Sequence, residues 1–199
     1  MNKNYNYDSF LSIDTSGYEE WTNSVREYHP YQSTSYQNLI QILDMININD
    51  NDCIVDFGCG KGRVSFFFNY KTNCKSVGIE FSSSLFESCI KNSEIYVGNS
   101  GNIVFLNMLA QDYSISNEDN IFYFFNPFSA KIFEQVLNNI VEAFFKHPRN
   151  MKLILYYPQI DYIDTINRNS FFELYMEIKL DTFNLNNDER ILIYEFIQW

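Results

Sequence analysis

The spacing of apolar residues changes along the chain, and each change marks an element. Tyr36, Leu39, Ile40, Leu43 and Ile46 recur at three- and four-residue steps, so residues 35 to about 47 read as an amphipathic helix closed by a polar turn at 47–52. Cys53–Phe57 is a short, largely apolar strand, followed at once by a glycine-rich turn and a helix starting near Arg63. Lys75–Glu80 predicts a second strand and 82–96 a second helix, with Ser82, Ser83 or Ser84 as its cap and Glu87 near its first turn. Ile103–Asn107 is a third strand. Residues 121–125 form a fourth and strongly aromatic one, ended by Asn126-Pro127-Phe128-Ser129 ahead of a helix at Ala130–Lys146, which 147–150 stops. Residues 153–157 give a fifth strand. Two β-like runs, 171–180 and 190–197, close the chain across a turn at 184–188 and predict an antiparallel hairpin beside a parallel sheet.

Short β-rich runs alternating with helical segments define an α/β protein, a parallel sheet covered by helices on both faces. No internal repeat or Pro/Gly/Ser-rich linker interrupts it. The first thirty residues have no clear place in the sheet, so 1–30 is expected to be an N-terminal extension or lid and 31–199 a single domain. Residues 18–28 could be helical, with Tyr18, Trp21, Val25 and Tyr28 on one face.

Composition narrows the function classes. A length of 199 residues suits one domain with a real core. The 14 Lys+Arg against 25 Asp+Glu give a net charge of -11, which works against docking on a phosphate backbone and makes nucleic acid an unlikely partner. No apolar run approaches the roughly 18 to 20 residues of a membrane span. The amino terminus is polar and lacks a secretory pattern, so the cytoplasm is the expected location. Cys53, Cys59, Cys74 and Cys89 lie far apart and read as reduced, mostly buried thiols; with only His29 and His147, no metal site is expected.

The chemistry concentrates in Val55-Asp56-Phe57-Gly58-Cys59-Gly60-Lys61-Gly62-Arg63, between a strand and a helix. Glycines at alternate positions allow a tight turn and close ligand approach, and in an open α/β sheet this loop lies at the binding crevice. A diphosphate loop would read Gly-x-Gly-x-x-Gly; this one reads Gly-x-Gly-x-Gly behind an acidic Asp56, which argues against a diphosphate and hence against a nicotinamide dehydrogenase. Glu80 ends the next strand 22 residues after Gly58 (80 - 58), where a carboxylate accepts hydrogen bonds from a ribose diol. Loop and carboxylate together specify a nucleoside whose neighbouring group is not phosphate.

In these residues the chain resembles the class I S-adenosylmethionine-dependent methyltransferases, from about Tyr31 onward. The resemblance implies a three-layer α-β-α sandwich around a mostly parallel seven-strand sheet with an antiparallel C-terminal strand, and S-adenosylmethionine as cofactor. It implies that Gly58, Cys59, Gly60 and Gly62 underlie the methionine and ribose, that Asp56 anchors the loop, and that Glu80 holds the ribose hydroxyls. The acidic residue that usually holds the adenine amino group is missing; Met108 or Leu109 stands there and could pack on the ring. Asn126-Pro127-Phe128 resembles the Asn-Pro-Pro-aromatic element of amino-directed members with one Pro lost. That implies a cofactor-side and catalytic Asn126 orienting a nitrogen nucleophile, with Pro127 and Phe128 as acceptor wall; the other reading is a strand ending in a Pro turn. Tyr31-Gln32-Ser33-Thr34-Ser35-Tyr36 is similar to the Tyr-x-x-Thr-Ser segment of the non-SET seven-strand protein-lysine methyltransferases, making Tyr31 a catalytic or channel candidate beside Thr34, with Phe125 at the mouth.

The resulting expectation is N-methylation of an amine, a protein lysine among the candidates. Small-molecule O- or N-methylation and a cofactor-binding protein without chemistry are the alternatives. A small-molecule or protein acceptor is expected, and oligomeric state is not legible.

Overall fold

A computed structural model describes residues 6–19 and 27–197. In chain order the elements are α1 (Tyr7–Leu11), β1 (Tyr18–Glu19), β2 (Tyr31–Gln32), α2 (Tyr36–Met45), β3 (Cys53–Phe57), α3 (Arg63–Thr72), β4 (Lys75–Glu80), α4 (Ser83–Ile95), β5 (Ile103–Asn107), β6 (Ile121–Phe124), α5 (Ala130–Lys146), β7 (Lys152–Tyr156), α6 (Ile160–Asn167), β8 (Phe172–Lys179) and β9 (Arg190–Phe196). Seven strands form one sheet in the order β5-β4-β3-β6-β7-β9-β8. β3 to β7 pair in parallel, and β9 runs antiparallel to both β7 and β8. The expected fold class, including the antiparallel C-terminal strand, is what the chain adopts.

The central strands are buried on both faces, so their apolar residues divide by alternation between two cores. Ile54, Tyr123 and Ile154 face α2 and α3, where Leu39, Ile42, Phe66, Phe67 and Phe68 fill one layer. Val55, Phe57, Phe122, Phe124, Leu153 and Leu155 face α5 and α6, against Phe133, Val136, Leu137 and Tyr162. All four cysteines are buried free thiols. Among the described residues no helix is long and apolar enough to cross a membrane.

Two features depart from the periodicity reading. Helix α6 was not anticipated. Within 18–28, Tyr18 is not helical: it pairs with Gln32 and Glu19 with Tyr31 as the β1–β2 ladder, while Tyr28 bridges to Phe128; Trp21 and Val25 lie outside the described residues. Backbone pairing with distant segments outweighs an apolar stripe here. The amino-terminal residues also dock on the domain. Leu11 and Thr15 are fully buried, Asp8 accepts from the backbone and hydroxyl of Thr15, and the Asn92 amide brackets Asp14.

Candidate active site

Strand order reverses between β3 and β6, so the loops leaving their carboxyl ends diverge and open a crevice. The glycine loop leaves β3 on one side and Asn126-Pro127-Phe128 leaves β6 on the other. Gly58 and Gly60 both have positive φ, 77° and 57°. A β-carbon on Gly58 would lie 2.5 Å from Cβ of Pro127, and one on Gly60 would lie 2.0 Å from a ring carbon of Tyr31. These glycines are therefore required by the protein's own closure over the loop as well as by any ligand.

The loop is held by backbone and by one carboxylate. Gly58 and Cys59 N–H groups donate to the Ile79 carbonyl at 2.9 and 3.0 Å. Glu80 accepts from the Gly60 N–H at 2.9 Å through Oε2 and from the Ser82 N–H at 2.8 Å through Oε1, so it clamps the loop to the start of α4. Burial pushes the Glu80 carboxyl up to about 7 despite these donors. Asp56, 3% exposed, has no hydrogen-bond partner among the described residues; burial, then the nearby Glu80 charge, push it up to about 8. Two buried carboxyls lining one crevice fit a ligand bearing a cationic group and a diol, which S-adenosylmethionine has.

The crevice encloses about 690 Å³ including its open mouth. Of the predicted residues, Asp56, Gly58, Cys59, Glu80, Met108, Tyr31, Thr34, Phe125, Pro127 and Phe128 line it together. Four predicted residues do not. Gly60 is covered by Tyr31, and Gly62 is the N-cap of α3, packed against Phe105 and Phe66. Leu109 is 39% exposed, and Ala110 reaches the wall in its place. Asn126 sits at φ 41°, with Oδ1 buried and without a partner among the described residues; its carbonyl oxygen lies 2.7 Å from His29 Nδ1.

Several wall residues were not read from sequence. Phe81, directly after Glu80, packs against Tyr28 at 4.1 Å between ring centroids. Its position next to the predicted ribose acid was a usable signal. Arg63 begins α3, where a cation opposes the helix dipole. It donates through Nε to Thr15 Oγ1 at 2.6 Å and through Nη1 to the Thr34 carbonyl at 3.1 Å, pairs with Asp8 at 3.5 Å and stacks on Tyr36. It thereby joins the amino-terminal segment to the Tyr31–Thr34 crossing. An electrostatically unfavourable Arg directly after the loop was the available cue.

Comparison with known proteins adds relatives. A family model described as "Histone methylation protein DOT1" matches residues 12–104, the stretch with Tyr31–Tyr36, the glycine loop and Glu80. The tRNA (guanine-N(7)-)-methyltransferase of Mycoplasma capricolum subsp. capricolum is 29% identical over 84% of this chain and 71% of that protein. Its counterpart in Mycoplasma mycoides subsp. mycoides SC is 25% identical over 85% and 72%. Among solved structures, an RNA methyltransferase from Salinibacter ruber with S-adenosyl-L-homocysteine aligns at TM-score 0.56 and 14% identity, covering 83% of this chain and 92% of that one. Magnesium protoporphyrin IX methyltransferase from Synechocystis PCC 6803 with bound SAM aligns at 0.59 and 10%, covering 82% and 77%.

The composition-based judgement that nucleic acid is an unlikely partner does not stand, because both curated relatives are named as tRNA methyltransferases. Net charge is a sum over the molecule, whereas an unstacked base is read by aromatic faces and pocket shape. The sheet order, the strand-end loop and these matches give the chain the fold of the class I S-adenosylmethionine-dependent methyltransferases.

Proposed function

We propose that this enzyme methylates a nucleobase nitrogen of RNA. The observation that carries the reading is the pair of tRNA (guanine-N(7)-)-methyltransferases matched over 84% and 85% of the chain. The aromatic mouth formed by Tyr28, Phe81, Phe125 and Phe128 supports it, because an unstacked base is bound by stacking and shape. Among the described residues, Lys61, Arg63, Lys75, Lys146, Lys152, Lys179 and Arg190 are engaged in ion pairs. With 25 acidic against 14 basic side chains in the chain, this reading assigns stacking more of the recognition than phosphate neutralisation.

Asp56, Glu80, Gly58, Cys59 and Met108 would hold the cofactor, with Glu80 taking the ribose diol while it clamps Gly60. S-adenosylmethionine, when bound, supplies a methyl group on a sulfonium. The residues of the chain contribute alignment: Tyr31 and Thr34 close the crevice from the amino-terminal side, and Phe125, Pro127 and Phe128 set the approach of the acceptor. Residues 6–19 brace this crossing from the amino-terminal side through Arg63.

The test is transfer of labelled methyl from S-adenosylmethionine, offering unmodified tRNA transcripts, a lysine-rich protein and small amines in parallel. Label in RNA is the expected outcome; label in protein or amine alone overturns the reading.

A further inference from the structure

We propose that Tyr28 is a positioning residue common to the cofactor and acceptor halves of the crevice, so that filling either half strengthens binding at the other. This role rests on the RNA reading above for its acceptor and adds the residue that ties that acceptor to the cofactor.

In the sheet order β5-β4-β3-β6, the glycine loop leaves the strand that lies between β4 and β6. A side chain that touches the segments after both β4 and β6 therefore reaches across the end of β3. Tyr28 does so. Its ring packs on Phe81, the residue directly after Glu80, with 4.1 Å between centroids, and meets Phe128 edge-on at 6.2 Å. Its hydroxyl reaches Gln111 Oε1, beyond β5, at 3.4 Å. The three rings line one crevice, together with Glu80 and Met108 on the cofactor side and Pro127 on the acceptor side. Tyr28 is half-buried, a ring that joins two walls of an open cleft and not a filler of one packed layer.

The backbone ties this ring to the acceptor wall. Tyr28 forms an antiparallel bridge with Phe128, the His29 N–H donates to the Pro127 carbonyl at 3.0 Å, and the Ser129 N–H donates to the Glu27 carbonyl at 2.8 Å. The Ser129 hydroxyl adds a bond to the Glu27 carboxylate. Where the ring stands and where Pro127 and Phe128 stand are thus one structural variable. The pairing runs only over 27–29, between the exposed Glu27 and Pro30, and so belongs to the weakly held part of the fold. A ligand packed along Phe81 and Glu80 restrains the Tyr28 ring, and through the pairing it fixes the acceptor wall. The first ligand to bind meets the entropy of ordering this segment, and the second finds it ordered. By linkage the gain is the same in both directions. An acidic chain draws little affinity from phosphates, so this coupling concentrates RNA binding on the cofactor-loaded enzyme.

With the full chain, the Kd for an unmodified tRNA transcript is measured with and without S-adenosylhomocysteine, which has no methyl group to give. In the wild type, RNA should bind about tenfold more tightly when S-adenosylhomocysteine is present, with the same factor for S-adenosylhomocysteine when RNA is present. S-adenosylhomocysteine alone should slow amide exchange at His29 and Ser129. Tyr28→Phe should keep the factor, because ring and pairing remain; Tyr28→Ala should bring it to within about twofold of one. A ring with a structural role alone would weaken each ligand and leave the factor as it is. Absence of coupling in the wild type overturns the proposal and needs no variant to fold. An undiminished factor in folded Tyr28→Ala overturns the role of Tyr28. Failure of the RNA reading shows separately, as labelled methyl entering protein or amine alone, and the same coupling measured with that acceptor then decides the role of Tyr28.

Discussion

The ring of Tyr31 lies directly on the backbone of Gly60, so close that a β-carbon there would stand 2.0 Å from it, while the Tyr31 hydroxyl donates to the Thr15 carbonyl. Gly60 in turn gives its N–H to Glu80. One glycine thus couples the amino-terminal crossing to the buried carboxylate of the cofactor pocket. Gly60→Ala meets both a left-handed φ and a clash with a ring, for about 2 to 4 kcal/mol of destabilisation. Gly101→Ala is the control, since a β-carbon there meets one side-chain oxygen at 3.4 Å. Thermal melting of the two variants should show a large fall for the first and little change for the second. Equal melting temperatures would contradict the contact.

Glu80 has a double duty that substitutions separate. Glu80→Gln keeps an acceptor for the Gly60 N–H and loses the charge; Glu80→Ala loses the clamp too. Calorimetry should show S-adenosylmethionine binding weakened by about 1 to 3 kcal/mol in the first variant, the range of a charge-assisted bond, and further in the second. Identical losses would mean that the clamp contributes nothing to affinity.

Asp56 and Glu80 together make the cofactor-free protein pH-sensitive. Burial raises them to about 8 and about 7, from ordinary values of 3.8 and 4.5. Because their folded pKa values are raised, the folded protein holds protons that the unfolded chain has already released. Their contribution to stability is fully present below about pH 4 and is lost as pH rises through 7 to 8. Denaturant midpoints of the cofactor-free protein should therefore fall from pH 5 to pH 8 relative to Asp56→Asn. A cationic cofactor favours the ionised carboxylates, so its affinity should rise over the same window with release of protons, measurable by calorimetry in buffers of different ionisation enthalpy. No proton release in the wild type would refute the assignment.

The parts of this site legible in sequence are those encoded locally. Cys53–Phe57, Lys75–Glu80 and Ile103–Asn107 have the bounds that the apolar runs predict, and the loop and Glu80 meet because both follow strand ends in one parallel sheet. What was not legible depends on pairing across long sequence separations. The 27–29 segment lies along 126–129, roughly a hundred positions away, and leaves no period in either stretch. That pairing is also what turns the carbonyl of Asn126 towards His29, so a motif read in isolation placed the Asn side chain where the crevice wall has Pro127 and Phe128 instead. Helix α6 is eight residues, short enough for its stripe of Tyr162, Thr165 and Ile166 to be missed.

Arg63 is the remaining point at which the amino-terminal segment can be uncoupled from the pocket. Its guanidinium serves Thr15, Thr34 and Asp8 at once, and its Cζ lies 4.6 Å from the centroid of the Tyr36 ring. A planar fork makes these contacts together, and an ammonium cannot. Arg63→Lys keeps the charge and should lose the Thr34 bond first, because a lysine tip cannot reach the Thr15 and Thr34 oxygens simultaneously. If the crossing at Tyr31–Thr34 is braced from this side, amide exchange at Leu11, Thr15 and Tyr31 should accelerate together, S-adenosylmethionine should bind about tenfold more weakly, and exchange in β7 should stay as it is. Faster exchange at Leu11 and Thr15 with unchanged cofactor affinity would show instead that the amino-terminal segment is held by Arg63 without contributing to the site.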